Sequence, residues 1–299
     1  MDRFQEMQVF QAVAEERSFN RAARRLALSA PSVTRAVAAL ETRLGTRLLH
    51  RSTRGVRLSE AGERFLGDCR RILAELEAAE GAAASSQEQA RGQLVVTAPV
   101  RFGEIFVVPL MLEYLEREAG VSIRAIFSDR VVSMAEEGVD VAVRIGELPD
   151  SGLAAKRVGS VRRVVVASPD FLATHGRPTH PRDLVAARTV ASSSSPLLSD
   201  WVFESNGESI RVRPDPRLVV TSNQAAIDAA RRGAGLTRVL SYQIDALVEA
   251  GELEIVLEPF ELPPLPVHVV HPGGRKPPAK IRTFVDHCVR ALRRHPALR

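Results

Sequence analysis

The chain has 299 residues, 45% of them hydrophobic, and carries 41 Lys and Arg against 36 Asp and Glu for a formal net charge of +5; this is length enough for about two domains with a substantial core. No apolar run approaches the roughly 18 residues of a membrane span, and the opening Met1-Asp2-Arg3-Phe4-Gln5-Glu6 lacks a signal-peptide pattern, so no membrane partner is expected and the cytoplasm is the expected location. The two cysteines, Cys69 and Cys288, fall in different helical patterns, which excludes a disulfide framework; both read as packed thiols, with a redox sensor as the alternative.

Charge is segregated along the chain. Between Arg17 and Arg57 ten arginines face a single acid, Glu41, whereas residues 60–90 hold seven acids and three arginines. Ser18 is placed to cap a short helix carrying Phe19, Ala22, Ala23 and Leu26 at helical spacing. Leu28 and Ser29 interrupt it, and Pro31 starts a second helix running to about Glu41. Val33, Val37 and Leu40 form the buried stripe of that helix, with Leu44 and Leu48 continuing the core. The opposite arc belongs to Pro31, Thr34, Arg35, Ala38 and Ala39, with Ser32 at its edge. Two short helices with a cationic outer face suit the major groove of double-stranded DNA. Arg35 is the residue best able to contact guanine bidentately, and Thr34 and Ser32 can serve base or phosphate. The basic turn from His50 to Arg57, flanked by short apolar runs, reads as a wing whose arginines reach the minor groove. A merely solvated arginine-rich face is the alternative.

The residues Phe10-Gln11-Ala12-Val13-Ala14-Glu15, Ser18-Phe19-Asn20-Arg21-Ala22-Ala23, Ser29-Ala30-Pro31-Ser32-Val33-Thr34-Arg35, Leu40-Glu41, Leu44-Gly45, Leu48-Leu49 and Leu58-Ser59-Glu60-Ala61-Gly62 resemble the LysR-type transcriptional regulators of bacteria. The DNA-binding set is then Ser18, Asn20, Arg21, Ser29, Pro31, Ser32, Thr34 and Arg35 on the helices and Ser52 and Thr53 in the wing; the resemblance makes Arg54 the wing arginine and Arg51 and Arg57 phosphate contacts. The family often has glutamine where this chain has Ala30, which shifts base reading toward Arg35, Thr34 and DNA shape.

From Glu60 to about Ala90 the chain is rich in Ala, Glu and Gln and free of proline. Phe65, Cys69, Ile72, Leu76, Ala79 and Ala83 recur at alternating spacings of four and three, a heptad seam. One long helix with an apolar edge needs a partner, so the seam is expected to join two copies into a homodimer and set the spacing of two heads. Packing within the chain's own fold is the alternative.

Beyond Gly92 strands alternate with helices. Strands are expected at Leu94–Thr97, Val121–Ile126, Val139–Ile145, Arg162–Ala167, Leu218–Val220 and Pro266–Val270, and helices at Gly103–Arg117, Gln224–Arg232 and Ala279–Arg293. The whole divides into an all-α winged helix-turn-helix domain (1–59), a linker or dimerisation helix (60–91) and an α/β effector-binding domain (92–299). The resemblance makes the last a two-lobed, type 2 periplasmic-binding-protein-like fold, with lobe I at about 92–163 and 267–299 and lobe II at about 164–266. Ligands in α/β sheets gather at the carboxyl ends of strands and at helix N-termini. The turn Thr97-Ala98-Pro99-Val100-Arg101-Phe102 is such a place. By resemblance it faces the interlobe cleft together with Arg144, Gly146, Glu147, Ser192, Ser193, Asn223 and Arg238.

Pro99 stands where relatives commonly offer a hydroxyl, and Arg101 is either a substitute carboxylate clamp or a surface arginine. Arg238 stands where relatives read apolar, and either enters the cleft or snorkels outward. The expected effector is a small, anionic acid. No CxxC, HExxH, P-loop or GxSxG occurs, so no metal, cofactor or catalytic constellation is expected. The reading is a regulator that binds promoter or operator DNA as a dimer or tetramer and answers a small-molecule effector, with RNA polymerase as a further partner the family allows. The alternatives are a DNA-binding oligomer without an effector and a solute-binding module.

Overall fold

The computed structural model describes residues 2–52, 55–83, 89–130, 133–148, 152–193, 200–273 and 277–299. The head holds three helices, α1 (Arg3–Glu16), α2 (Phe19–Arg25) and α3 (Ala30–Leu44), and a hairpin of β1 (Leu49–Ser52) and β2 (Gly55–Leu58). Each helix starts on a side-chain acceptor. Asp2 and Gln5 form a reciprocal capping box, Ser18 takes the amide of Arg21, and Ser29 takes the amide of Ser32 at 3.3 Å. Gly45, at φ 66°, ends α3 in the left-handed region that a side chain resists. Val9, Phe10, Val13, Ala22, Val33, Val37, Leu40 and Leu48 close the head's core. Leu44 is not among them: it is 37% exposed, because the helix turns away at Gly45 before the stripe can continue.

The linker helix α4 (Glu60–Ala83) departs from the heptad expectation at its first turns. Cys69 is fully buried in the head's own core, and Phe65 packs on Phe10 with ring centroids 5.6 Å apart. The head's own apolar surface thus encloses Cys69, while Phe65 remains half-buried. Leu66 and Leu73 are buried as well, while Ile72 and Leu76 are half-buried. The side chains of Ala79 and Ala83 lie outside the described residues. Beyond the helix, Glu15 on α1 binds Arg25 at 2.8 Å and Arg70 of α4 at 3.3 Å, with Arg124 of the effector domain 3.9 Å away. Burial raises this carboxyl, but the hydrogen bonds from Arg25 and Gln11 and the charges of Arg25 and Arg70 overcome that, leaving it below the usual carboxylate range.

The effector domain runs β3 (Gly92–Ala98), α5 (Val100–Phe102), a π-helical stretch, α6 (Val108–Arg117), β4 (Val121–Phe127), β5 (Val141–Ile145), β6 (Leu153–Val161), β7 (Arg163–Ala167), α7 (Pro169–His175) and β8 (Thr189–Ser192). It continues through β9 (Trp201–Ser205), β10 (Glu208–Val212), β11 (Pro216–Val220), α8 (Asn223–Arg231), β12 (Thr237–Leu240), α9 (Asp245–Glu249), β13 (Glu254–Val256), β14 (Leu265–Pro272) and α10 (Ala279–Leu292). Lobe I is a five-stranded sheet ordered β4-β3-β5-β14-β6. Its core joins the inner strands to α6 and α10 through Leu94, Val96, Leu110, Tyr114, Val267 and Phe284. Lobe II is built on β12-β7-β13, flanked by the parallel pair β8 and β11 and by the β9–β10 hairpin. The two crossings fall at Arg162 and between Phe260 and Leu265, so Arg163 belongs to lobe II and Pro266 to lobe I.

The strands β6, β9 and β10 and the helix α7 are not anticipated by apolar periodicity. In β6 the pattern is broken by Lys156, Arg157 and Gly159, yet the strand pairs with β14 along its length. Val139 and Asp140 precede β5 rather than forming part of it, since the Asp140 carboxylate turns back to accept the Val95 amide at 2.8 Å. His268 and His271 lie three apart on β14 and therefore on opposite faces.

Cys69 and Cys288 are 0% and 2% exposed, and burial pushes each thiol up to about 12, with the charge of Asp68 adding to the effect at Cys69. The thiolate is the reactive form, so an aromatic disulfide reagent is expected to leave both unmodified in the native protein from pH 7 to 9 and to titrate both in denaturant. Rapid native labelling of Cys69, followed by absorbance, would restore the redox-sensor alternative.

Candidate DNA and effector sites

On α3 the residues opposite the core come to the surface as the helical period requires. Pro31, Arg35, Ala38 and Ala39 are exposed, and Ser32 and Thr34 are half-buried at the margins. Ser29 and Ser32 share a hydroxyl hydrogen bond of 2.8 Å, and Arg35 reaches Ser32 at 3.5 Å, so three candidates form one polar chain at the start of the helix. Arg35 carries no ion pair with a carboxylate among the described residues, whereas Arg25 pairs with Glu15 and Arg43 with Glu6. Arg21 is also engaged: its guanidinium donates to the Glu16 carbonyl at the end of α1 and lies 3.6 Å from the Glu16 carboxylate. Ser18 serves as the cap of α2, and Asn20 is exposed beside it.

The hairpin pairs Leu49 with Leu58 and Ser52 with Gly55. Thr53 and Arg54 themselves lie outside the described residues, as do the side chains of Arg51 and Ser52; Arg57 is exposed. One residue the sequence reading leaves unassigned is central here. Glu41, the lone acid of the arginine-rich stretch, accepts the amides of Leu48 and Leu49 at 2.8 and 3.0 Å with the same oxygen. It binds the recognition helix to the root of the wing.

In the effector domain a cavity of about 100 Å³ opens at the carboxyl ends of β3, β4 and β5. Thr97, Pro99 and Arg144 line it, with Ser128, Asp129 and Arg130, which the sequence reading missed. The strand-end rule that singled out Thr97 and Arg144 applies equally to the end of β4 and would have found them. The site's electrostatics differ from an open anion cradle. Pro99 offers the helix no side-chain cap, and the Asp129 carboxylate instead accepts the amide of Val100 at 3.0 Å. Thr97 is buried and donates its hydroxyl to the Ile126 carbonyl at 2.6 Å, leaving it only an acceptor for any ligand. Arg144 is half-buried, and burial lowers its guanidinium.

The remaining candidates are not gathered in this cavity. Arg101 pairs with Glu104 at 3.2 Å, which takes up the charge a carboxylate clamp needs. Phe102 is fully buried and packs on Phe106 and Tyr242 at 4.6 and 5.3 Å, so it is core rather than lining. Val100 is 37% exposed. Gly146 donates its amide to Pro266, and Glu147 is exposed. In lobe II, Ser192 is buried at the end of β8, Ser193 donates to the Val220 carbonyl, and Asn223 opens α8 behind the capping Ser222. Arg238 neither snorkels outward nor reaches the lobe I cavity. It is 8% exposed, and its guanidinium lies 6.0 and 5.3 Å from the ring centroids of Trp201 and Phe203.

A winged three-helix head with a cationic outer face, a long helix and a two-lobed α/β domain together define the architecture of a transcriptional regulator with a substrate-binding domain. The family comparisons agree with this. Residues 4–63 match the bacterial regulatory helix-turn-helix protein, lysR family, and residues 87–293 match the LysR substrate binding domain. The chain is 35% identical over 289 residues to an HTH-type transcriptional regulator of Xanthomonas campestris pv. campestris, covering 95% of this chain and 84% of the relative. Among solved structures, the full-length Vibrio cholerae virulence activator AphB superposes with a TM-score of 0.63 at 26% identity, covering 96% and 99% of the two chains. CrgA, a LysR-type regulator from Neisseria meningitidis, gives 0.60 at 29%, covering 96% and 98%. The chain belongs to the LysR-type transcriptional regulators, a family of oligomeric regulators, not enzymes, that bind DNA and small-molecule effectors. Among the described residues no helix is long and apolar enough to cross a membrane, and no group of His, Cys, Asp or Glu is placed to hold a metal.

Proposed function

We propose that this chain binds an operator as a homodimer or tetramer in the cytoplasm, reads base edges with the exposed face of α3, and changes its hold on DNA when a small, anionic effector binds its two-lobed domain. The observation that carries the DNA-binding part is the Ser29, Ser32 and Arg35 chain on an exposed helix face, with Arg35 committed to no carboxylate among the described residues. Assembly is supported by apolar surface outside the head: Leu112 on α6 is 60% exposed, and Leu218 and Val219 on β11 are 40% and 50% exposed. The effector part is supported by the half-buried Arg144 at a strand-end cavity in lobe I and by the buried cation in lobe II. RNA polymerase is the partner such a regulator addresses once seated.

Gel mobility shift on the DNA beside the chain's own gene tests the reading. Arg35→Ala is expected to cost about 1–3 kcal/mol of specific affinity while leaving binding to random duplex almost unchanged. Arg57→Ala, at a phosphate contact, is expected to weaken both and to lower the slope of log affinity against log salt by about 0.9. A wild-type protein with no preference for that DNA over random duplex, or Arg35→Ala binding like wild type, overturns it.

A further inference from the structure

Lobe II holds a cation that no carboxylate among the described residues neutralises. Arg238 is 8% exposed, donates to the Val202 carbonyl at 2.9 Å, and leaves its buried Nε–H without an acceptor. The register of β12 on β7 pairs Arg238 with Val165 and Leu240 with Arg163. Arg163 and Arg238 are therefore diagonal neighbours on one face of the sheet, within reach for side chains of this length. Arg163 is half-buried, and neither arginine carries an ion pair with a carboxylate among the described residues. Burial lowers both guanidiniums, and the charge of Arg163 helps bring Arg238 down to about 10. Two like charges below one sheet face with an orphaned donor are costly unless an anion joins them. In lobe I the Arg101 Nε–H is likewise without an acceptor, but there Glu104 holds the same guanidinium at 3.2 Å, Asp129 occupies the Val100 amide and the Thr97 hydroxyl donates inward.

We infer that the carboxylate of the effector is bound in lobe II, at the free Nε edge of Arg238 with Arg163 beside it, and that Arg238 is the residue that selects an acid over its neutral analogue. The inference rests on the effector-responsive reading above. The two aromatic rings lie within cation–π range of the guanidinium, which helps hold it in place. Arg163, at the start of β7 beside the crossing at Arg162, is half-buried and so the more exposed of the two arginines.

Trp201 is the only tryptophan of the chain, so its fluorescence reports this site directly. Full-length protein is titrated with sodium benzoate, with benzamide as the neutral match and potassium chloride at equal ionic strength as the control for screening. Benzoate is expected to change Trp201 emission saturably, benzamide and chloride not to. Arg238→Gln is expected to weaken the benzoate midpoint roughly 10- to 100-fold, the loss of a charge-assisted hydrogen bond, and Arg163→Gln to weaken it less. Arg101→Gln is expected to titrate like wild type. If Arg238→Gln does not fold, judged by thermal unfolding, Arg163→Gln against Arg101→Gln decides. A change reproduced by chloride, one that survives in Arg238→Gln, or no saturable change at all overturns the assignment. Operator affinity measured in the same samples separates this from the reading beneath it. A saturable, Arg238-dependent signal with unchanged operator affinity upholds the site and removes its effector role, while failure of the signal leaves the Arg35 test untouched.

Discussion

Glu41→Ala is expected to destabilise the head by about 2–5 kcal/mol and to abolish specific operator binding, although Glu41 lies outside the proposed contact set. One carboxylate oxygen accepts the amides of both Leu48 and Leu49, and these leucines are 1% and 4% exposed. Alanine leaves two N–H groups in the head's core without an acceptor and without room for the full hydration they have in the unfolded chain. Removing the pair of bonds also frees β1 from α3, so the wing loses its fixed position relative to the recognition helix. Glu41→Gln keeps an acceptor oxygen in the same place and exchanges charge-assisted bonds for neutral ones, so it is expected to cost only about 1–2 kcal/mol. Amide hydrogen exchange resolves the two amides individually. Loss of protection at Leu48 and Leu49 in Glu41→Ala, with protection largely kept in Glu41→Gln, is the expected pattern. Unchanged protection at both positions in Glu41→Ala would show that another group satisfies them and that the wing is held elsewhere.

The role of Glu41 also shows how far the residues spoke for themselves. Its conspicuousness in sequence came from charge, as the single acid among ten arginines, and charge alone does not say whether an acid tunes a surface or ties a backbone. The recognition helix was legible because its period is a local property: Val33, Val37 and Leu40 face inward and Arg35 outward, as the spacing requires. The linker helix was only half legible, for the complementary reason. The alternation of threes and fours from Phe65 to Ala83 marks an apolar edge, but an edge carries no label for its partner, and Cys69 turned out to belong to the head. Arg238 was legible as an oddity in a strand. Its surroundings were not, because they come from the β9–β10 hairpin, whose residues pair with each other and with nothing adjacent in sequence to β12. At the lobe I cavity the strand-end rule found two strands of three, and the acid that closes the helix N-terminus, Asp129, lies 29 residues from the amide it caps.

Gly62→Ala is expected to be the most damaging single-methyl change in the head, and the comparison with Gly45→Ala isolates why. A Cβ at position 62 would sit 2.0 Å from the Leu48 carbonyl oxygen, 3.0 Å from its carbon and 3.2 Å from a methyl of Leu58. The obstacle is backbone, and that backbone is pinned from both sides: the Leu48 amide is held by Glu41, and its carbonyl accepts the Ser59 amide at 2.9 Å. The strand cannot retreat, so the first turn of α4 must leave the wing, at a cost of about 3 kcal/mol or more. For a unit of this size that lowers the head's midpoint by roughly 10–20 °C, read as the head's own transition because a chain of several domains need not melt in one step. Gly45 has open space around it and pays only for its left-handed φ of 66°, so alanine there is expected to cost about 1–2 kcal/mol. Equal midpoints for the two variants would mean that α4 is not seated on Leu48. Because Glu41 and Gly62 act on the same residue, Glu41→Gln combined with Gly62→Ala is expected to cost measurably less than the two changes separately, since a strand already loosened at its amide can yield to the new methyl. A strictly additive double variant would separate the recognition helix from the linker energetically, and the wing root could then carry no mechanical signal between them.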